Sequence, residues 1–211
     1  FLTNWFYQGI PQADTSERVY KITWLLLLSV MSYLLIGHIF TDRTVSRIVL
    51  SLASGHTLNW ILNSNQSVIF VHRTRYLKTT PLKLFSHLYG IRDRIVDKEW
   101  VLISISSGGI SRGSMNEHSD IDVNIIRRSG LWNALKSLLF STIERIRADF
   151  NGIPLDIIIS DNVEHFLSKT DGNERFVVLA DPEQLVDNFN IESISLKEAQ
   201  RLNNINDITN A

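Results

Sequence analysis

Three aspartates, an arginine and a glycine pair between positions 101 and 159 have the types and spacing of a site that handles metal and phosphate. Asp120 and Asp122 stand two apart, and Ile121, Val123 and Ile125 alternate with Asp120, Asp122 and Asn124. That period of two belongs to a strand, so both carboxylates leave the same face. A hard cation such as Mg²⁺ takes oxygen ligands and is held by one or two carboxylates together with its substrate's phosphates. Ahead of the pair, Gly108 and Gly109 follow the β-branched run 101–105. A glycine pair lets backbone N–H groups come close to an anion, and Arg112 adds a planar charged donor suited to phosphate. Asp156 is the lone charge in the apolar run 155–159. An unpaired charge buried in a sheet is costly, so Asp156 is expected to face a cation or a cleft.

Read in order, the motifs are a strand, a glycine turn, an arginine, a strand with Asp-x-Asp, a helix, and a strand with one Asp. Gly108, Gly109, Arg112 and Gly113, followed by Ser119, Asp120, Ile121 and Asp122, resemble the glycine-loop and Asp-x-Asp signature of the nucleotidyltransferase superfamily that includes DNA polymerase β. The resemblance implies an α/β (α+β) domain over 79–190, a mixed sheet flanked by helices. It implies Mg²⁺, or Mn²⁺ in its place, held by Asp120, Asp122 and Asp156, with Asp156 also taking the acceptor's proton. Gly108, Gly109 and Arg112 would bind an NTP such as ATP. The implied reaction moves a nucleoside monophosphate to a hydroxyl or phosphate acceptor and releases pyrophosphate; the acceptor itself is not legible. Gly109 stands where the family commonly has serine, although a glycine pair is familiar in the polymerase β branch. Ser114 stands where an acidic residue commonly follows the Arg-Gly pair. The alternative is a nucleotide-binding module of the same fold with little or no turnover. A metal-dependent glycosyltransferase would need a larger nucleotide-binding domain ahead of its Asp-x-Asp, and the apolar N-terminal half offers none.

The elements that must hold these residues follow from periodicity. Over 131–150, Leu131, Leu135, Leu138, Leu139, Ile143, Ile146 and Phe150 fall on one helical face, and Gly152 and Pro154 stop the helix. Thr80 is an expected N-cap with Pro81 in the first helical position. That helix is expected to run to about Lys98, with Leu84, Leu88, Ile91 and Ile95 turned to the sheet. A short helix over 163–168 and a strand over 175–180 come next, and 191–211 is expected to be a fraying tail.

The N-terminal part, 1–78, reads differently. After an irregular lead-in over 1–18, the run 22–40 carries no formal charge, and its length is what a hydrocarbon core of ~30 Å asks of a helix. Trp24, with Arg18 and Lys21 before the run and Arg43 and Arg47 after it, supplies interfacial anchors. A second apolar stretch, 48–71, is interrupted by Ser54, Gly55, His56, Asn59 and Asn63. It is too polar to span alone and is expected to return as the packed partner of the first helix, a membrane-associated hairpin. His72, Arg73, Arg75, Lys78 and Lys83 then place the catalytic domain on the cytoplasmic side. The alternative is a soluble cytoplasmic protein in which 22–40 is a core helix.

Composition narrows the partners. A net charge of −1, from 21 Lys and Arg against 22 Asp and Glu, predicts no footprint for long nucleic acid. The chain has no cysteine, which excludes disulfides and thiolate metal sites.

Overall fold

The structure, a computed structural model, describes residues 2–11, 13–38, 44–64, 66, 68, 78–168, 170 and 174–205. The chain divides into two compact units, 1–64 and 65–211. Ile39, Phe40, Arg43, His72, Arg73 and Arg75, which the hairpin and orientation arguments use, lie outside the described residues.

The first unit is helical: α1 (Leu2–Tyr7), α2 (Thr15–Gly37) and α3 (Thr44–Asn63), with α2 and α3 packed as a hairpin. Its seam is polar and small. Ser29 and Ser32 of α2 and Ser51, Gly55, Asn59 and Asn63 of α3 are buried. Leu26, Leu27, Val30, Met31, Leu34 and Leu35 on one helix, and Val45, Ile48, Val49, Leu50 and Leu52 on the other, are exposed. The missing side chain of Gly55 lets the helices touch: a Cβ there would lie 2.6 Å from the Ser29 Cα. Helix α2 is long and apolar enough to cross a membrane, with a mean hydropathy of 1.8 over its most apolar window.

The stretch expected to be irregular contains α1 and the first turn of α2, and the cause is long-range. Trp60 Nε1 donates to Asn4 Oδ1 (2.9 Å), Gln8 Nε2 to the His56 carbonyl (2.9 Å) and Asn59 Nδ2 to Gln8 Oε1 (2.6 Å). These bonds tie α1 to a helix some fifty residues away. His56 Nε2 also meets the Trp5 carbonyl of α1 at 2.8 Å, so His56 bonds between helices and Asn59 to the turn after α1.

The second unit is mixed α/β. Helix α4 (Pro81–Ile95) starts at Thr80, whose side chain accepts from the Lys83 N–H, and its Leu84, Leu88, Ile91 and Ile95 are fully buried. It ends at Ile95, three residues short of the expected end. Then come β1 (Val101–Ser107), the single turn α5 (Gly109–Arg112), β2 (Ile121–Arg127), α6 (Leu131–Phe150) and β3 (Leu155–Ser160). The chain continues through α7 (Val163–Ser168), β4 (Phe176–Ala180), α8 (Leu185–Asn188), β5 (Ser193–Ser195) and α9 (Leu196–Leu202). Five strands form one sheet in the order β3-β2-β1-β4-β5. The pairs β2/β3 and β4/β5 are parallel, and β1 is antiparallel to both its neighbours. The segment expected as a tail, 191–211, thus supplies a strand paired to β4 and a helix packed on α5 and β4.

The two faces of the sheet differ. Ile121, Val123, Leu155, Ile157 and Ile159 are buried on the side where α6 packs against β2 and β3. The other face carries a cluster of Ile103, Ile105 and Ile126 with Val163 and Phe166 of α7 and Val186 of α8. Asp122, Asn124 and Ile126 alternate on β2, so the carboxylate shares this second face but stands at its uncovered end. Most of the apolar face expected on α6 is turned outward: Leu131, Leu135, Leu139, Ile143 and Phe150 are exposed, Ile146 is half-buried and Leu138 alone of the seven is buried. The buried side is built mainly of small residues, Ala134, Ser137, Ser141 and Ala148, with Leu138 at its border.

Candidate functional site

At the end of β1 the chain turns at Gly108, with φ 84° and ψ −141°, a backbone setting that only glycine adopts without strain. One helical turn follows, closed by Gly113 at φ 69°. The loop is braced from inside and from outside. Ser111 Oγ donates to the Gly108 carbonyl (3.0 Å). Asn203, just past α9, donates through Nδ2 to the Ile110 carbonyl (2.9 Å), and its Oδ1 accepts from the Met115 N–H (3.0 Å). At Gly113 a Cβ would lie 2.9 Å from the Leu202 carbonyl oxygen, so α9 and the loop meet at a distance that requires glycine.

Register sets the carboxylates. Ser107 pairs with Asp122, and Asp122 with Asp156, so three adjacent strands carry Ser107, Asp122 and Asp156 in one row. Partners in register on neighbouring strands project from the same face with backbones about 5 Å apart. Asp122 and Asp156 are half-buried. Ser106 Oγ donates to the Asp122 carbonyl (2.6 Å), which fixes β2 against β1 at this step. A Cβ on Gly108 would stand 3.4 Å from Asp122 Oδ2, so the missing side chain leaves open the space beside the carboxylate.

Asp120 is also half-buried, just ahead of β2. Two residues of strand amount to about 7 Å, so Asp120 sits one step outside the Asp122–Asp156 pair. Among the described residues no group of three or more His, Cys, Asp or Glu is drawn close enough together to hold a metal ion. The three carboxylates expected to converge are therefore an adjacent pair with the third beside it. Arg112 ends the single turn α5 and is exposed. Gly109 opens the same turn, and a Cβ there would meet nothing nearer than 3.6 Å.

Sequence reasoning missed Ser107 and Asn203. Nothing local marks Ser107, and only register sets it opposite Asp122. Asn203 lies in an Asn-rich stretch, and its bonds reach back about ninety residues, beyond any local signal.

A second polar cluster lies between α4 and α6. Glu144 is buried and accepts from Arg94 Nε (2.7 Å) and Nη2 (2.6 Å) and from Arg147. His87 lines the adjoining cavity of about 280 Å³ with Lys83, Arg94, Arg147 and Asn151. Burial lowers its pKa to about 4; Glu144 opposes the shift, while Arg94, Arg147 and Lys83 add to it. The cluster pins α4 to α6, on the side of the sheet away from the aspartates.

Compared with protein-family models, curated proteins and solved structures, the chain matches none.

Proposed function

We propose that the second unit is a Mg²⁺-dependent nucleotidyltransferase, moving a nucleoside monophosphate from an NTP to a hydroxyl or phosphate acceptor. The observation that carries the reading is the row Ser107, Asp122, Asp156 beside a glycine turn at which a Cβ would come within 3.4 Å of the Asp122 carboxylate. The order of the motifs along the chain supports it. The donor set suits the ion: two adjacent carboxylates, with substrate phosphates completing the shell, are what Mg²⁺ takes, and a closed protein cage is not required. Asp122 and Asp156 would hold it, with Asp120 adding a third oxygen donor at the rim. Bound there, the ion would neutralise phosphate charge.

The chain's own residues do the rest. The Gly108–Gly109 turn leaves room for the triphosphate against the backbone, and Arg112, exposed on that loop, binds it through paired N–H donors. Asp156 takes the proton from the acceptor hydroxyl. The acceptor oxygen then bonds to the α-phosphorus as the bond to the bridging oxygen breaks and pyrophosphate leaves. Positioning and electrostatics supply most of the rate in such transfers. One observation favours the second reading, a nucleotide-binding module without turnover: the third carboxylate is not grouped with the pair. Incubation with labelled NTPs and candidate acceptors separates the two. The transferase reading expects pyrophosphate release that Asp156→Asn abolishes; NTP binding with no release under any acceptor would leave the module.

The reading extends to the first unit, as a membrane hairpin with the second unit on the cytoplasmic side. What supports it is the inverted layout, with serine, glycine and asparagine at the seam and leucine, isoleucine and valine outside. Between helices in lipid, small and hydrogen-bonding residues hold the interface because apolar burial there drives nothing.

A further inference from the structure

We propose that the cavity between α4 and α6 binds a phosphate group, free or carried on a small phosphomonoester, at a site separate from the aspartate row. The inference does not rest on the transferase reading, since it uses none of the same residues.

The charge of the cavity selects an anion. Lys83, Arg94 and Arg147 line it with His87, and no carboxylate does. Lys83, His87, Gly90 and Arg94 recur at the spacing of one face of α4, and Arg147 and Asn151 stand four apart at the end of α6. Glu144, buried and outside the lining, is paired with Arg94 and Arg147 and neutralises one of the three cations. With the His87 pKa lowered to about 4, the imidazole is neutral at pH 7, so three positive charges less one leave an excess of two. Lys83, Ser86 and Arg147 are exposed, which opens the cavity to solvent.

The ion pairs also leave donors over. Arg94 gives Glu144 its Nε and Nη2. Its Nη1 lies over Gly90, where a Cβ would stand 2.9 Å away, so the guanidinium takes up the room of a missing side chain in the cavity wall. Arg147 gives Glu144 only Nη1. Lys83 Nζ donates to the Asn151 carbonyl (2.6 Å) and has two further N–H groups. His87 Nε2 is buried and has no hydrogen-bond partner among the described residues. Such an orphaned buried atom is uncommon and calls for an explanation. An oxyanion in the cavity accepts from it once the ring takes the tautomer with its proton on Nε2.

Donors from four side chains on two helices suit a tetrahedral ion, and guanidinium forks with an ammonium are common partners of phosphate. The volume of about 280 Å³ lies just below the ~300–1,000 Å³ of pockets for drug-sized ligands, which favours a small phosphorylated molecule over a nucleotide. A neighbouring groove shares Arg94 and Arg147 but is lined also by Asp93 and Asp97. Those carboxylates repel an anion, so the site is on the His87 side.

The test follows the His87 ring by NMR in the full chain in detergent, with isotope-labelled histidine. Loss of one signal in His87→Gln assigns it among the six histidines. A chelator is present and NTP is left out, so the aspartate row contributes nothing. Inorganic phosphate, glycerol 3-phosphate, acetate and chloride are titrated at matched ionic strength. The expected result is a saturable shift of the His87 signal with the two phosphates, with weaker binding of acetate and none of chloride. Tighter binding of glycerol 3-phosphate assigns the site to a phosphomonoester, and tighter binding of inorganic phosphate assigns it to the free ion. Lys83→Gln and Ser86→Asp, both at exposed positions, should each weaken phosphate binding about tenfold or more, with circular dichroism unchanged. Ser86→Asp leaves every ion pair intact and acts by placing a negative charge at the mouth. A His87 signal that does not move, or that moves equally with chloride, would overturn the proposal. Wild-type phosphate affinity in folded Ser86→Asp and Lys83→Gln would do the same.

Discussion

Alanine at Gly108 tests whether the turn beside Asp122 is set by backbone conformation or by space. At φ 84°, ψ −141° a residue with a side chain is strained by about 1–3 kcal/mol. The added methyl itself clashes with nothing, since its nearest neighbour, Asp122 Oδ2, would be 3.4 Å away. The loss is therefore conformational. Gly109 is the matched control: its alanine finds nothing nearer than 3.6 Å, and in a helical turn alanine is favoured over glycine by up to about 1 kcal/mol. For a protein of this size each kcal/mol moves Tm by about 2–4 °C, so the two variants should separate by several degrees, Gly108→Ala melting lower. Thermal unfolding of the full chain in detergent, followed by circular dichroism, measures this. Metal-dependent NTP affinity should fall in both, in Gly109→Ala without loss of stability, because its methyl occupies the space left for phosphate. A Gly108→Ala protein that melts with the wild type and binds NTP as well would refute the role given to this turn.

Three further outcomes are expected. Asn203→Ala removes the bonds to the Ile110 carbonyl and the Met115 N–H; it should cost about 1–2 kcal/mol and speed hydrogen exchange at the Met115 amide. His87 stays neutral in the folded chain down to about pH 4, whereas its ordinary pKa is 6.5. The unfolded chain therefore binds the extra proton between these values, so stability should rise with pH from about 4 to 6.5 and the penalty is complete below 4; His87→Gln should flatten that slope in denaturant titrations. Gly55→Val, whose Cβ would lie 2.6 Å from the Ser29 backbone, should loosen the hairpin by about 1–3 kcal/mol and expose it to protease, while Ala53→Val on its outer side should not.

How far the sequence reaches can be judged from particular residues. The α6 bounds, the Thr80 cap and the strands at Asp122 and Asp156 were legible because capping and periodicity are local. Periodicity also gathered Leu131, Leu135 and Phe150 on one face, but it does not say which face meets the sheet. Here the small residues Ala134, Ser137 and Ser141 do, and the large ones are turned away. The first helix and the final strand were missed for one reason. Leu2–Tyr7 is held by partners near position 56, and Ser193–Ser195 by β4, and neither carries a pattern of its own. The site divides the same way: Asp122 and Asp156 were readable as types, whereas their adjacency, the place of Ser107 opposite Asp122 and the Asn203 brace come from register and tertiary contact.

The central claim is that Asp122 and Asp156 act together as the metal and nucleotide site. Calorimetric titration of NTP into the full chain, with Mg²⁺ and with chelator, tests it directly in the wild type, Asp122→Asn and Asp156→Asn. The account predicts saturable, Mg²⁺-dependent binding in the wild type and a loss of about tenfold or more in each variant, equivalent to about 1.4 kcal/mol, with circular dichroism unchanged. Equal Mg²⁺-dependent affinity in all three proteins would contradict it.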